Sequence, residues 1–149
     1  MDELRELYQE IILDHNKRPR NYRGIDKATH SAEGHNPLCG DEISVSLRLN
    51  GDQIEDISFQ GEGCAISKAS ASLMTTLIKG KSLQAAKEES SVIKQMLTSS
   101  EEPDESLEEL GDIIALFGVR RFPVRIKCAT LAWHTFEAAL NGKKETTTE

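Results

Sequence analysis

Residues 43–59, ISVSLRLNGDQIEDISF, constrain the fold more than any other stretch of the chain. Ile43, Val45, Leu47 and Leu49 alternate with polar residues at the period of a half-buried strand. Asn50 and Gly51 supply hairpin-turn chemistry, and Ile54 to Phe59 returns as a second strand. The texture changes after QGEG: from Cys64, the residues Ile66, Ala69, Leu73, Leu77 and Ile78 follow helical spacing to a stop at Gly80. A small antiparallel sheet joined to helices places the chain in the α+β class.

Elsewhere the pattern is helical. Leu4, Leu7, Tyr8, Ile11 and Ile12 predict a first helix, with Asp2 as its cap and Pro19 and Gly24 beyond its end. Residues 28–35 fit a short edge strand as well as a loop. Two further helices are expected over Leu83–Leu97, with a break inside it, and over Glu105–Phe117. Between them the polar, acidic run TSSEEPDESLEE reads as a loop, and its charges fit a solvated face. A last helix starts near Pro123 and runs through Leu131, Phe136 and Leu140 to Asn141 and Gly142. The tail KKETTTE has too little apolar content to pack, so residues 1–142 read as one domain and 143–149 as a disordered tail.

The chain's 149 residues carry 18 basic and 25 acidic side chains, net −7. That balance argues against nucleic acid or an anionic membrane surface as partner and favours proteins or small molecules. No run approaches the ~20 apolar residues of a membrane span, and the acidic amphipathic start is unlike a leader, so a soluble, cytoplasmic protein is expected. Three cysteines cannot all pair within one chain, and in a reducing compartment they read as metal-binding, catalytic or simply buried.

Each cysteine sits at a structural boundary: Cys39 in a loop before a strand, Cys64 at a strand-to-helix junction, Cys128 in the first turns of a helix. The separations are long, 25 residues from Cys39 to Cys64 and 64 from Cys64 to Cys128, so a shared site would be assembled by the fold and not by a zinc-finger loop. Unpaired N–H groups at a helix start favour thiolate at Cys64, and Arg120, Arg121, Arg125 and Lys127 put a positive field beside Cys128. Three thiolates suit zinc, iron or an iron–sulfur cluster, and Asp41 can supply a fourth ligand. A carboxylate in place of a fourth thiolate suggests a centre able to exchange ligands.

Plainer readings stand beside this one. Three distant cysteines also fit small buried apolar residues, Gly40 and Asp41 also fit a turn and its cap, and the basic run also fits a solvated surface. His15, His30, His35 and His134 are poor ligand candidates singly, His35 being nearest in sequence to Cys39. Nucleotide motifs fail: Gly80–Ser82 would need a glycine where Thr75 stands, and Gly61–Gly63 lacks the third glycine of a dinucleotide fingerprint. A C-x-x-C pair is also missing from the sequence.

The segments NPLCGDEI, GEGCAISKASASLM and VRIKCATLAW, in this order and preceded by LYQEIILDHNKRPRNYRG, resemble the signature segments of the IscU/NifU N-terminal family of iron–sulfur cluster assembly proteins. Lys127 precedes Cys128 where the IscU scaffolds have a histidine, and the span between Cys64 and Cys128 is longer; both features resemble the SufU branch. The resemblance implies a three-stranded antiparallel sheet with helices packed on one side, and a zinc site of Cys39, Asp41, Cys64 and Cys128. It implies as partner a SufS-type cysteine desulfurase, which forms a persulfide on its own cysteine with pyridoxal phosphate, and downstream Suf assembly proteins as recipients. By residue matching, Cys39 is the sulfur acceptor released from zinc on docking, Asp41 the anchoring ligand, and Arg125 a helper that orients the carboxylate or stabilises the sulfur anion. Two rivals remain: a scaffold holding a [2Fe–2S] cluster on the same residues, and a structural zinc module.

Overall fold

The computed structural model describes residues 2–99 and 105–148, with side chains outside 2–5, 105–110 and 121. The chain runs α1 (Asp2–Lys17), β1 (His30–Asn36), β2 (Asp41–Asn50), β3 (Gln53–Glu62), α2 (Ala65–Ile78) and α3 (Leu83–Thr98). A 3-10 stretch (Glu105–Arg121) then leads into α4 (Pro123–Leu140) and a short β4 (Glu145–Thr147).

The hairpin expected from residues 43–59 is present. β2 and β3 pair antiparallel from Asn50↔Gln53 to Glu42↔Glu62, around a turn in which Gly51 takes φ +63°. Ile43, Val45 and Leu47 point inward with Ala32, Ile57 and Phe59, and meet Leu131, Trp133 and Phe136 of α4 and Leu73 and Met74 of α2 in one core. Trp133 and Phe136 are wholly buried, each stabilising the fold by roughly 1.5–3 kcal/mol. Trp133 Nε1 donates to Ser70 Oγ (3.1 Å), whose hydroxyl donates to the Ala129 carbonyl (2.6 Å), tying α2 to α4. α4 lies close on β1, because a Cβ on Gly34 would stand 2.0 Å from Thr135 Oγ1. The opposite face of the sheet is polar: Glu33, His35, Glu42, Ser44 and Gln60 line a shallow cleft there.

Four expectations change. The sheet has four strands in the order β3-β2-β1-β4, and β4 runs parallel to β1, so the sheet is mixed and β1 is not its edge. The tail expected to be disordered supplies that fourth strand. Its recruitment is by backbone and not by burial: Glu33 N–H donates to the Lys144 carbonyl (2.8 Å) and Thr148 N–H to that of His35 (3.1 Å), satisfying the open side of β1. The helix expected over Glu105–Phe117 is a 3-10 stretch broken at Gly111 (φ +74°). Among its described residues, Ile113, Ala115, Leu116, Phe117 and Val119 are buried. α3 is continuous through the expected break. Residues 100–104 of the acidic loop lie outside the described residues. Among the described residues, no helix is long and apolar enough to cross a membrane.

Candidate metal centre

Asn36 and Asp41 are register partners at the end of the β1–β2 ladder, so Pro37-Leu38-Cys39-Gly40 is a hairpin loop. The Asn36 carbonyl accepts from Gly40 N–H (2.8 Å) and Cys39 N–H (3.3 Å), and Gly40 closes the loop at φ +74°, a conformation that glycine adopts without strain. The loop presents Cys39 to solvent, whereas Asp41 is buried at the first position of β2.

The Asp41 carboxylate is held at both oxygens: Oδ1 accepts from the Cys64 backbone N–H (2.8 Å) and Oδ2 from Asn36 Nδ2 (3.0 Å). Gly63 makes room for it, since a Cβ there would lie 2.5 Å from Asp41 Oδ1. Cys64 is the N-cap of α2, its sulfur accepting from Ser67 N–H (3.4 Å). Cys128, buried in α4, donates to Cys39 Sγ (3.4 Å) and toward the Val124 carbonyl (3.6 Å), and Asn36 Nδ2 also reaches its sulfur (3.5 Å).

The ligand atoms of Cys39, Asp41 and Cys128 all lie within 4.8 Å of one another. A tetrahedral zinc with Zn–S bonds of about 2.3 Å sets two sulfurs about 3.8 Å apart, close to the 3.4 Å between Cys39 and Cys128. The donor set therefore fits such an ion. Three of the four expected ligands come within 4.8 Å of one another; the Cys64 thiol, near Cys128 but outside that mutual distance, accepts from the start of its own helix, while its amide holds Asp41.

The charge balance at Cys128 is the reverse of that expected from the neighbouring basic run. Burial pushes its thiol pKa up, and Cys39, Cys64 and Asp41 beside it push it further. A group of acidic ligands, two of them buried, is chemically suited to receive a soft cation. Arg125 is exposed, with its guanidinium 5.0 Å from the centroid of the Phe122 ring. The contacts that orient Asp41 come instead from Asn36 and the Cys64 amide. His35 lies on the outer face of the sheet beside Glu33, Glu42 and Glu145, and His15 is buried against Ser72.

Sequence reasoning missed Asn36, Gly63 and Thr148, whose hydroxyl donates to Asn36 Oδ1 (3.0 Å). Asn36 was within reach of a register argument, because a four-residue loop sets it opposite Asp41. Thr148 was not, because only tertiary pairing brings the tail there.

Residues 7–142 match the model of the NifU-like N-terminal domain. The zinc-dependent sulfurtransferase SufU of Bacillus subtilis is 48% identical over 131 residues, 88% of this chain and 87% of the relative. The iron–sulfur cluster assembly scaffold protein IscU of Streptococcus pyogenes is 40% identical over 140 residues, covering 94% and 86%. A crystal structure from Fervidobacterium islandicum, provisionally assigned as a cluster assembly scaffold for the SUF system, superposes with a TM-score of 0.80 at 40% identity, covering 88% of this chain and 94% of that one.

Proposed function

The chain belongs to the NifU-like N-terminal domain family, and we propose that it is an iron–sulfur cluster assembly protein that receives sulfur from a SufS-type cysteine desulfurase on Cys39. The observation that carries this reading is the division within the site: Cys39 is exposed, while Asp41 and Cys128 behind it are buried. One thiol can meet a partner while the others stay inside. The name of the Bacillus relative supports both the transfer and the metal.

Cys39, Asp41, Cys64 and Cys128 would hold zinc, with the Cys64 side chain leaving its capping contact to join the set. Bound there, the ion would displace thiol protons and keep the cysteines as thiolates. The chain's own residues do the rest. The Cys39 thiolate attacks the outer sulfur of the desulfurase persulfide; a new S–S bond forms at Cys39, the old one breaks, and the desulfurase cysteine leaves as thiolate with no net oxidation. Asp41, fixed at both oxygens, does not follow Cys39 outward. Leu38 beside Cys39, with Phe122 and Val124 ahead of Cys128, gives the mouth of the site exposed apolar side chains suited to a protein partner that hands over sulfur and further Suf proteins that receive it.

Desulfurase turnover on cysteine tests the proposal: the wild type should raise it, and Cys39→Ala should not. Equal stimulation by the variant would refute the relay. The Streptococcus relative, a scaffold by name, favours a second reading in which a nascent [2Fe–2S] cluster is cargo on the same residues. That reading instead requires a cluster assembled on the chain to pass intact to an apo acceptor.

A further inference from the structure

We propose that Thr148 and Asn36 form a positioning pair, by which the C-terminal strand sets the orientation of Asp41 and Cys128. The inference rests on the reading that these residues hold zinc.

Asn36 is completely buried, yet all of its side-chain polar atoms are engaged. Its amide nitrogen faces Asp41 Oδ2 at 3.0 Å and Cys128 Sγ at 3.5 Å, so one side chain touches two of the ligands. The assignment of N and O follows from the surroundings: a carboxylate can only accept, so the nitrogen must face it. The amide oxygen then points the other way, where the Thr148 hydroxyl donates to it at 3.0 Å. A flipped amide would set its oxygen against the carboxylate and its NH2 against Thr148. The carboxylate thus selects the amide orientation, and the Thr148 hydroxyl, by donating to the oxygen on the far side, holds the amide in place at the site.

Thr148 is itself held in place. Its N–H donates to the His35 carbonyl (3.1 Å), directly after the β4 residues that pair with β1 from Glu33↔Glu145 to His35↔Thr147. The tail thus latches the end of β1 immediately before the Cys39 loop. Partners that orient a metal ligand commonly change affinity by about 10–100-fold. Asn36, in direct contact with two ligands, belongs at the upper part of that range, and Thr148, acting through Asn36, near the lower end.

The test compares wild type, Thr148→Val, Thr148→Ser and Asn36→Ala in zinc affinity, measured by competition with a chromophoric chelator, and in the melting of the metal-free protein. Cobalt(II) substituted at the site reports its geometry through its visible bands. Thr148→Val is expected to weaken zinc binding by about tenfold and to shift the cobalt bands, with the metal-free melt lowered by a few degrees because the buried Asn36 oxygen loses its partner. Thr148→Ser, which keeps the hydroxyl, should bind as the wild type does. Wild-type affinity and spectra in Thr148→Val, or a loss in Thr148→Ser equal to that in the valine variant, would overturn the positioning role while leaving the zinc site standing. A wild type without tight zinc binding would overturn the zinc site and the pair together. Should Asn36→Ala fail to fold, the two Thr148 variants still decide the matter.

Discussion

Replacing Gly63 by alanine probes the site without touching a ligand. The added Cβ would sit 2.5 Å from Asp41 Oδ1, 3.0 Å from its Cγ and 3.1 Å from its Cβ. Relief to an ordinary 3.4 Å contact requires the carboxylate to retreat by about 0.9 Å. Moved directly away, it would stretch the 2.8 Å bond from the Cys64 amide to about 3.7 Å, beyond hydrogen-bond range. A hydrogen bond to a charged group contributes about 1.5–3 kcal/mol, so the metal-free protein should lose about 2 kcal/mol, or about 4–8 °C in melting temperature for a domain of this size. Zinc affinity should also fall by about 10–100-fold, since the displaced oxygen no longer matches the sulfurs. Calorimetry of the metal-free protein and chelator competition read the two effects. Gly24→Ala is the control: its Cβ would meet only Gln60 Oε1 at 3.9 Å, and it should be neutral. Gly63→Ala with a melt within about 1 °C of the wild type would refute the close approach to Asp41.

The cysteines should separate by burial. Cys39→Ala should change unfolding free energy by under about 0.5 kcal/mol, whereas Cys128→Ala should cost about 1 kcal/mol or more, as measured by urea denaturation of the metal-free protein. Gly34→Ala drives a methyl group against Thr135 and Leu131 on α4 and should destabilise by about 1–3 kcal/mol in the same assay. Arg23 donates to Asp56 through its two terminal guanidinium nitrogens (2.7 and 3.0 Å) and, with Lys79 nearby, holds its carboxyl below the usual range. That contribution is present above the ordinary carboxylate pKa of 3.8 and is lost as pH falls through the lower folded value. Asp56→Asn should therefore cost about 0.5–1 kcal/mol at neutral pH and converge with the wild type in acid, as a pH series of denaturant midpoints would show.

What could be read in advance followed from local periodicity. The alternation of Ile43, Val45 and Leu47 specified β2, and the spacing from Cys64 specified α2 with that cysteine at its start. The misreadings have physical causes. Ile113 to Phe117 are all apolar, so their pattern does not separate the 3-10 period from the α one, and the break lies before them at Gly111, which takes a positive φ. Glu145–Thr147 bury little, so no hydropathy pattern could announce a strand held by the backbone of β1. Arg125 and its basic neighbours were weighed by charge, but position along a chain does not fix distance: the arginine lies over Phe122, and burial governs Cys128. The legible part of the site was the set of groups able to bind a metal. The illegible part was what aims them: the Asn36 amide, the space at Gly63 and the Thr148 hydroxyl.

The central claim is that Cys39 is the thiol that takes up sulfur. Its most direct test is mass spectrometry of the chain after incubation with a SufS-type desulfurase and cysteine, with free thiols and persulfides alkylated before digestion. The account predicts one added sulfur on the peptide carrying Cys39 and none on those carrying Cys64 or Cys128. Sulfur on either of the latter, or on no cysteine while the desulfurase turns over, would contradict it.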